Sequence, residues 1–240
     1  MNIALIGYGK MGQLIHKVAE SRGHKVVSIV DPSKGNQIDA DTMKGIDVAI
    51  DFSVPEMAIS NLEKASQYGV NYVMGTTGWI DQMSKVQDIT KKSGIGFIWG
   101  SNFSLSVQIF FRIIREAAKI ANKFEEIDIA AYEAHHRHKL DAPSGTAETM
   151  GQIILEELDR KKRLLLDRPF SKISPDDLHL STIRVGEVPG THCMIMDTES
   201  DTIEIKNTSR NRNGFVLGAV IASEFINGKK GFYDFQDVVI

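Results

Sequence analysis

The opening of the chain limits its fold more than any other stretch. Asn2-Ile-Ala-Leu-Ile6 is a short apolar run of strand length, and it leads straight into Gly7-Tyr-Gly9-Lys-Met-Gly12. Behind the glycines, Met11, Leu14, Ile15, Val18 and Ala19 fall at i, i+3, i+4, i+7 and i+8, one face of a helix. A strand, a glycine turn and an amphipathic helix in this order start a βαβ unit. Four more runs rich in Val and Ile follow at Lys25–Val30, Asp47–Phe52, Asn71–Met74 and Gly94–Trp99. Strands separated by helices of this length imply a parallel sheet with right-handed crossovers. The expected fold is α/β, beginning with a Rossmann-like domain.

G-x-G-x-x-G between a strand and a helix has a mechanism. Gly7 allows the tight turn, Gly9 lets a pyrophosphate approach the backbone, and Gly12 lets helix and strand pack closely. The phosphates then face free amides at the positive end of the helix dipole. The motif alone is weak, because a plain β–α turn also uses glycine. Asp31, closing the second predicted strand, strengthens it: an acid there binds the adenosine ribose hydroxyls. It would also repel a 2′-phosphate, which makes NADH the preferred cofactor and NADPH the alternative. Lys10 and Lys34 read as solvated surface cations. No Gly-Lys-Ser/Thr follows, so a P-loop is excluded. Gly75-Thr-Thr-Gly78 and Gly100-Ser-Asn-Phe103 end two further predicted strands, where parallel sheets bind ligands.

The pattern changes after about residue 103. A helix is predicted over Leu105–Ala121, with Ile109, Ile113, Ala117 and Ile120 on its inner face, then a strand over Glu126–Tyr132. Ala147, Met150, Ile154 and Leu158 suit another helix. Leu178–Val185, Met194–Asp197 and Thr202–Lys206 read as strands with no helix between them. They predict a second, α+β domain with a mixed or antiparallel sheet. Gly214–Ile226 is helical again. Asp159–Asp177 is the one polar stretch long enough to be mobile. The expected division is 1–103 with 214–240 for the dinucleotide domain, and 104–213 for substrate binding and oligomerisation.

Between the predicted strand and helix lies Glu133-Ala-His-His-Arg-His-Lys-Leu-Asp-Ala-Pro-Ser-Gly-Thr-Ala147. Three imidazoles, an ammonium and two carboxylates crowd ahead of a turn that opens a helix. A metal site on His135, His136 and His138 is one reading, but neither Cys-x-x-Cys nor His-Glu-x-x-His accompanies them. A solvated loop is another, and it suits Arg137 and His138. It leaves unexplained the Pro143-Ser-Gly-Thr146 turn, whose amides, capped by Ser144 or Thr146, suit a carboxylate or phosphate. The third is a proton-transfer site for hydride chemistry. A hydride acceptor develops negative charge that must be protonated or held by a cation, and a His and a Lys supply both. Asp141 reads as structural, orienting Lys139 or fixing the turn. Cys193, the only cysteine, reads as a buried strand residue and allows no intrachain disulfide.

This segment resembles the signature of the dihydrodipicolinate reductase (4-hydroxy-tetrahydrodipicolinate reductase) family of diaminopimelate and lysine biosynthesis. Gly7–Gly12, Asp51-Phe-Ser53, Gly75-Thr-Thr77, Asn102-Phe-Ser104 and Ser181-x-x-Arg184-x-Gly186-x-x-x-Gly190-x-His192 follow in the family's order. The resemblance covers nearly the whole chain. It implies His135 as catalytic histidine and Lys139 as proton-donating lysine, with His136, Gly145 and Thr146 binding substrate. It implies cofactor contacts at Gly7, Tyr8, Gly9, Lys10, Met11, Gly12, Asp31, Gly75, Thr76, Thr77, Gly100, Ser101, Asn102 and Phe103. It also implies a homotetramer built through the substrate-domain sheet. Pro32 replaces an arginine common in the family, Ser106 a glycine and Asn207 a histidine.

The remaining composition fits a small-molecule enzyme. The net charge is −3 without a basic block, which gives no sign of a nucleic-acid partner. No apolar run approaches the roughly 20 residues that span a bilayer, and no signal-type leader precedes Gly7. A cytoplasmic location and a small dicarboxylate substrate are expected. The competing functions are a related NAD(P)-dependent dehydrogenase of another small carboxylate, and a non-catalytic dinucleotide sensor that leaves the His/Lys cluster without a task.

Overall fold

The computed structural model describes residues 1–31, 34–166 and 171–238; Pro32 lies outside them. In chain order the elements are β1 (Asn2–Ile6), α1 (Lys10–Ser21), β2 (Lys25–Val30), β3 (Val48–Asp51), α2 (Pro55–Ser66), β4 (Asn71–Met74), α3 (Met83–Ser93) and β5 (Gly96–Trp99). There follow α4 (Leu105–Ala121), β6 (Asp128–His135), α5 (Gly145–Glu157), β7 (Arg163–Leu165), β8 (Asp177–Arg184), β9 (Thr191–Asp197), β10 (Thr202–Thr208), α6 (Asn213–Ile226) and β11 (Gly231–Asp234). They form two compact units, one of Met1–Leu105 with Asn213–Ile240 and one of Ser106–Arg212.

The first unit is a doubly wound parallel sheet in the order β11-β5-β4-β3-β1-β2. Its central strands are buried on both faces, as all-parallel strands are. Ile15 and Ala19 of α1 and Val216, Ala219 and Val220 of α6 cover one face; Ala58 and Leu62 of α2 and Val86 of α3 cover the other. The expected Rossmann-like sheet is present, with β11 added at its edge. That strand was not anticipated, because Gly231-Phe-Tyr-Asp234 carries too little apolar periodicity to be read alone.

The second unit has a mixed sheet, β10-β9-β6-β8-β7, in which β6 runs parallel to β8 and antiparallel to β9. β6 continues past its expected end and carries Glu133 and His135 on the strand itself. β7 lies within the stretch expected to be mobile, and pairs with β8. The inner face of α4 also differs from expectation. Val107, Phe110, Phe111, Ile114 and Ala118 are buried, while Ile109, Ile113 and Ile120 are about half exposed. Both faces of α4 are apolar, so the period is right and its phase is not. Full burial of each large side chain on the true face contributes about 1.5–3 kcal/mol.

Register organises this sheet lengthwise. On the face covered by α4 and α5, β6 reads Ile129, Ala131, then Glu133, His135. Beside it β8 reads Leu178, Leu180, then Thr182, Arg184, and β9 reads Met196, Met194, then His192. Each row passes from apolar to polar toward the same end. One end is core, and the other presents a cluster of ionisable groups.

Candidate active site

In the first unit the carboxyl ends of β1, β2 and β3 border a cleft of about 300 Å³ lined by Gly7, Tyr8, Gly9, Asp31, Lys34, Phe52, Ser53, Val54 and Met57. The three glycines divide their tasks as the motif requires. Gly7 has φ +86°, and a Cβ there would lie 2.5 Å from Phe52 O; a Cβ on Gly12 would lie 2.3 Å from Gly7 O. A Cβ on Gly9 would meet nothing within 4 Å, so its bareness leaves room for something outside the protein. That open approach and the acid at the end of β2 fit a dinucleotide. Lys34 pairs with Asp31 at 3.0 Å yet stays 70% exposed, so it is less independent than a solvated cation.

The other expected cofactor positions are spread around this edge. Lys10 and Met11 open α1, with Lys10 exposed and Met11 packed on the core. Thr76 is buried and its hydroxyl donates to Asp51 Oδ1 at 2.9 Å. Gly75 and Thr77 flank it at the end of β4. Gly100 to Phe103 follow β5 and do not line the cleft. Ser101 is exposed, Asn102 Oδ1 accepts from Ser104 N, and Phe103 is a core residue against Phe235. Asp51 itself is a residue the motif reading quoted without a task. It is fully buried, and it accepts from Tyr72 Oη at 2.6 Å, Asn61 Nδ2 at 3.1 Å and Ser53 N at 2.8 Å.

In the second unit Glu133 is the hub. Its side chain is 0% exposed and lies within ion-pair distance of Arg184, His135 and His192. Oε1 accepts from Arg184 Nη2 at 2.9 Å and from Ser144 N at 3.1 Å, and Oε2 accepts from the Ser144 hydroxyl. His135 Nδ1 is 3.2 Å from Oε2, without the angle of a hydrogen bond. Burial opposes the Glu133 charge, but the nearby His192 imidazole and the hydrogen bonds from Ser144 and Arg184 outweigh it and hold the carboxyl at about 2. Burial also dominates at His135, and with the positive field of His192, Lys139 and Arg184 it overcomes Glu133 and lowers the imidazole to about 4.

Lys139 lies beyond the end of β6, its ammonium 2.8 Å from Asp141 Oδ1. Burial raises the Asp141 carboxyl, and the hydrogen bond from Lys139 brings it below its usual value. Asp141 thus has the orienting place expected of it. Ser144 caps α5 by accepting from Ala147 N, and Gly145, where a Cβ would meet nothing within 4 Å, starts the helix with Thr146 behind it. His136 is half-buried, with its Nδ1 buried and unpartnered. Arg137 and His138 are exposed, and His138 is 3.7 Å from Glu187, as a solvated turn would have them.

Sequence reasoning missed Arg184 and His192 as members of this cluster. Both stood in the quoted family pattern, but only the cross-strand pairings Glu133↔His192 and His135↔Arg184 bring them to the histidine. They also change the metal question. The grouping with ligand spacing is Glu133, His135 and His192, not His135, His136 and His138. Its carboxylate already accepts a guanidinium, which makes it an ion-pair network. Among the described residues, six buried side-chain polar atoms lack a partner, and five are here: His135 Nδ1, His136 Nδ1, Arg184 Nε, His192 Nδ1 and Asn207 Oδ1. Buried polar atoms are rarely left so, and their concentration marks a place made for a polar ligand.

Comparison with known proteins agrees with both halves. The N-terminal family model of dihydrodipicolinate reductase matches residues 1–103, and the C-terminal model matches residues 106–239. The chain belongs to the dihydrodipicolinate reductase family. It is 41% identical over 239 residues to the 4-hydroxy-tetrahydrodipicolinate reductase of Christiangramia forsetii, covering 100% of this chain and 98% of that one. The reductase of Neisseria meningitidis serogroup B is 35% identical, with 95% and 86% covered. The dipicolinate-bound dihydrodipicolinate reductase of Paenisporosarcina sp. TG-14 shares the fold, with a TM-score of 0.76 at 21% identity over 99% of this chain and 98% of that one. The chain is therefore an oxidoreductase of the diaminopimelate and lysine route, as its signature implied.

Proposed function

We propose that the chain reduces 4-hydroxy-tetrahydrodipicolinate to tetrahydrodipicolinate, the 4-hydroxyl leaving as water while one hydride and one proton are added to the ring, and that it takes NADH in preference to NADPH. The observation that carries the reading is the cluster at the polar end of the second sheet. It joins His135, the Lys139 ammonium and the capped start of α5 through one buried carboxylate. Cations beside a helix N-terminus suit a dicarboxylate. Gly7, Gly9 and Asp31 would hold the dinucleotide's pyrophosphate and adenosine ribose, with Tyr8, Lys10 to Gly12, Gly75 to Thr77 and Gly100 to Phe103 around it. When bound, the dinucleotide supplies the hydride.

The protein's own residues handle charge and proton. Gly145, Thr146 and His136 hold the substrate carboxylates, and Lys139 balances the negative charge that develops on reduction. His135 is neutral at pH 7 in the free protein. Two carboxylates placed beside it favour the imidazolium, so substrate binding loads the proton that His135 then gives to the reduced ring. Asp31 favours NADH by repelling a 2′-phosphate. The apolar side chains Tyr132, Ile195 and Ile183 on the sheet face away from α4 support a homotetramer built through that face. Among the described residues no helix is long and apolar enough to cross a membrane, and we place the enzyme in the cytoplasm.

The test is oxidation of NADH, with NADPH in parallel, on substrate made in situ from pyruvate and aspartate semialdehyde by the preceding synthase. Rapid substrate-dependent loss of NADH absorbance, faster than that of NADPH, is expected. Binding of NADH without turnover would defeat the reading and favour the sensor.

A further inference from the structure

We propose that Glu133 is the positioning residue of the reactive site: one buried carboxylate that orients His135, the loop bearing Lys139 and the start of α5 together. The inference rests on the functional reading above and extends it to a residue outside direct contact with substrate. Three separate links leave the same side chain. Oε2 lies 3.2 Å from His135 Nδ1, on the strand face the two residues share. Oε1 accepts from Arg184 Nη2, and that same nitrogen donates to Asp141 O at 2.7 Å, fastening the loop whose Asp141 carboxylate holds Lys139. Ser144 gives Glu133 both its backbone N–H and its hydroxyl, while its Oγ caps α5 through Ala147 N at 3.2 Å.

A purely structural reading explains these links poorly. An ion pair at 0% exposure is a weak source of stability, because desolvation offsets its attraction, and well-packed apolar residues usually do as well. Ile129 and Ala131 show that the same strand face takes apolar residues one and two steps earlier. The polar choice at 133 coincides with the place where every neighbouring row also turns polar. Even without an aligned hydrogen bond, a negative charge 3.2 Å away biases the tautomer. A carboxylate beside Nδ1 favours the proton on Nδ1 in the neutral ring, leaving Nε2 as the nitrogen that takes up and returns a proton. His192, whose ring lies edge-on to His135 at 5.2 Å, approaches the same oxygen, with its Nε2 3.6 Å from Oε2.

The experiment compares the wild-type protein with Glu133→Gln and Ser144→Ala, using long-range proton–nitrogen NMR of the histidines at pH 7, with His135 assigned by its loss in His135→Ala. Steady-state kinetics, NADH titration calorimetry and thermal melting complete the set. Wild-type His135 is expected as the Nδ1–H tautomer. Glu133→Gln is expected to mix the tautomers, lower kcat on the order of a hundredfold and leave NADH affinity within about twofold. Ser144→Ala, which removes the hydroxyl's bonds to Glu133, His192 and Ala147 N but leaves the backbone N–H on Glu133, is expected to raise KM more than it lowers kcat and to keep the Nδ1–H tautomer. A Glu133→Gln protein with normal kcat and an unchanged tautomer overturns the proposal. If that variant does not fold, an Nε2–H tautomer in the wild type, or unchanged kinetics in Ser144→Ala, overturns it instead. Wild-type inactivity on the substrate would count against the functional reading alone, since the tautomer is measured without turnover.

Discussion

Each unit of this protein buries one carboxylate at the end of a strand beside its site, and the two are wired differently. Asp51 accepts from a phenol, an amide, a hydroxyl and a backbone N–H. Every one of these donors is neutral at physiological pH, and burial with the Asp51 charge pushes the Tyr72 phenol well above its ordinary value. Glu133 is surrounded by Arg184, His135 and His192. The first arrangement ties two loops to a sheet and does no more. The second couples position to charge, because moving a proton anywhere in the cluster changes every other member. A site that binds a cofactor for its shape can be supported by neutral hydrogen bonds. One that must give and recover a proton needs ionisable supports.

The sharpest break in this comparison comes from deleting the reactive groups. His135→Ala and Lys139→Ala should each lower turnover by about 10²–10⁴, the usual weight of general acid–base catalysis, while calorimetry finds NADH affinity unchanged. A normal rate in the double variant would remove the second unit from the chemistry. Asp51→Ala should do the opposite. It strips acceptors from Tyr72, Asn61 and Thr76, at about 1–3 kcal/mol for each group left unsatisfied. A lower melting temperature and weaker NADH binding are expected, with the His135 tautomer unaltered; unchanged NADH binding would mean that the Thr76 loop needs no anchor.

Acid should separate the units further. His135 titrates at about 4 in the folded protein against an ordinary 6.5, and Glu133 at about 2 against 4.5. Both folded values are depressed, so the unfolded chain binds these protons more readily as pH falls. The His135 contribution is lost between about pH 6.5 and 4, and that of Glu133 between about 4.5 and 2. Amide exchange near pH 5 should therefore rise first in β6, β8 and α5, and earlier exchange in β1 and β3 would contradict this. Smaller effects belong to cofactor choice. Asp31→Ser should raise the NADPH-to-NADH ratio of kcat/KM about tenfold, or 1.4 kcal/mol. Lys34→Ala should shift that ratio by less than about 1 kcal/mol, as exposed pairs do.

What could be read without coordinates follows from range. β1, β2 and β4 lie where expected, because short Val- and Ile-rich runs between glycine turns leave little choice. α4 was bounded correctly but turned the wrong way: Ile109, Ile113 and Ile120 repeat as well as Val107, Phe110, Ile114 and Ala121, and periodicity does not say where the sheet is. β7 and β11 are too short and mixed to show a period. His135, Lys139 and Gly145 stand close in sequence and could be grouped by eye. Arg184 is 51 residues from Glu133 and meets it only through strand register. Glu133 was visible as a residue, but its burial and its partners were not.

The chain has two tryptophans, and both are in the first unit. Trp79 donates from Nε1 to Thr76 O at 2.8 Å, on the loop that Asp51 anchors, and meets Trp99 at the end of β5 edge-on at 5.5 Å. The tryptophan emission of this protein thus comes from one half of the molecule, beside the loop after β4. It also overlaps the band where a dihydronicotinamide absorbs. Cofactor arrival will be seen as quenching and energy transfer without any label. The second unit holds no tryptophan and a single tyrosine, Tyr132, so excitation at the red edge of the tryptophan band reports on the first unit alone.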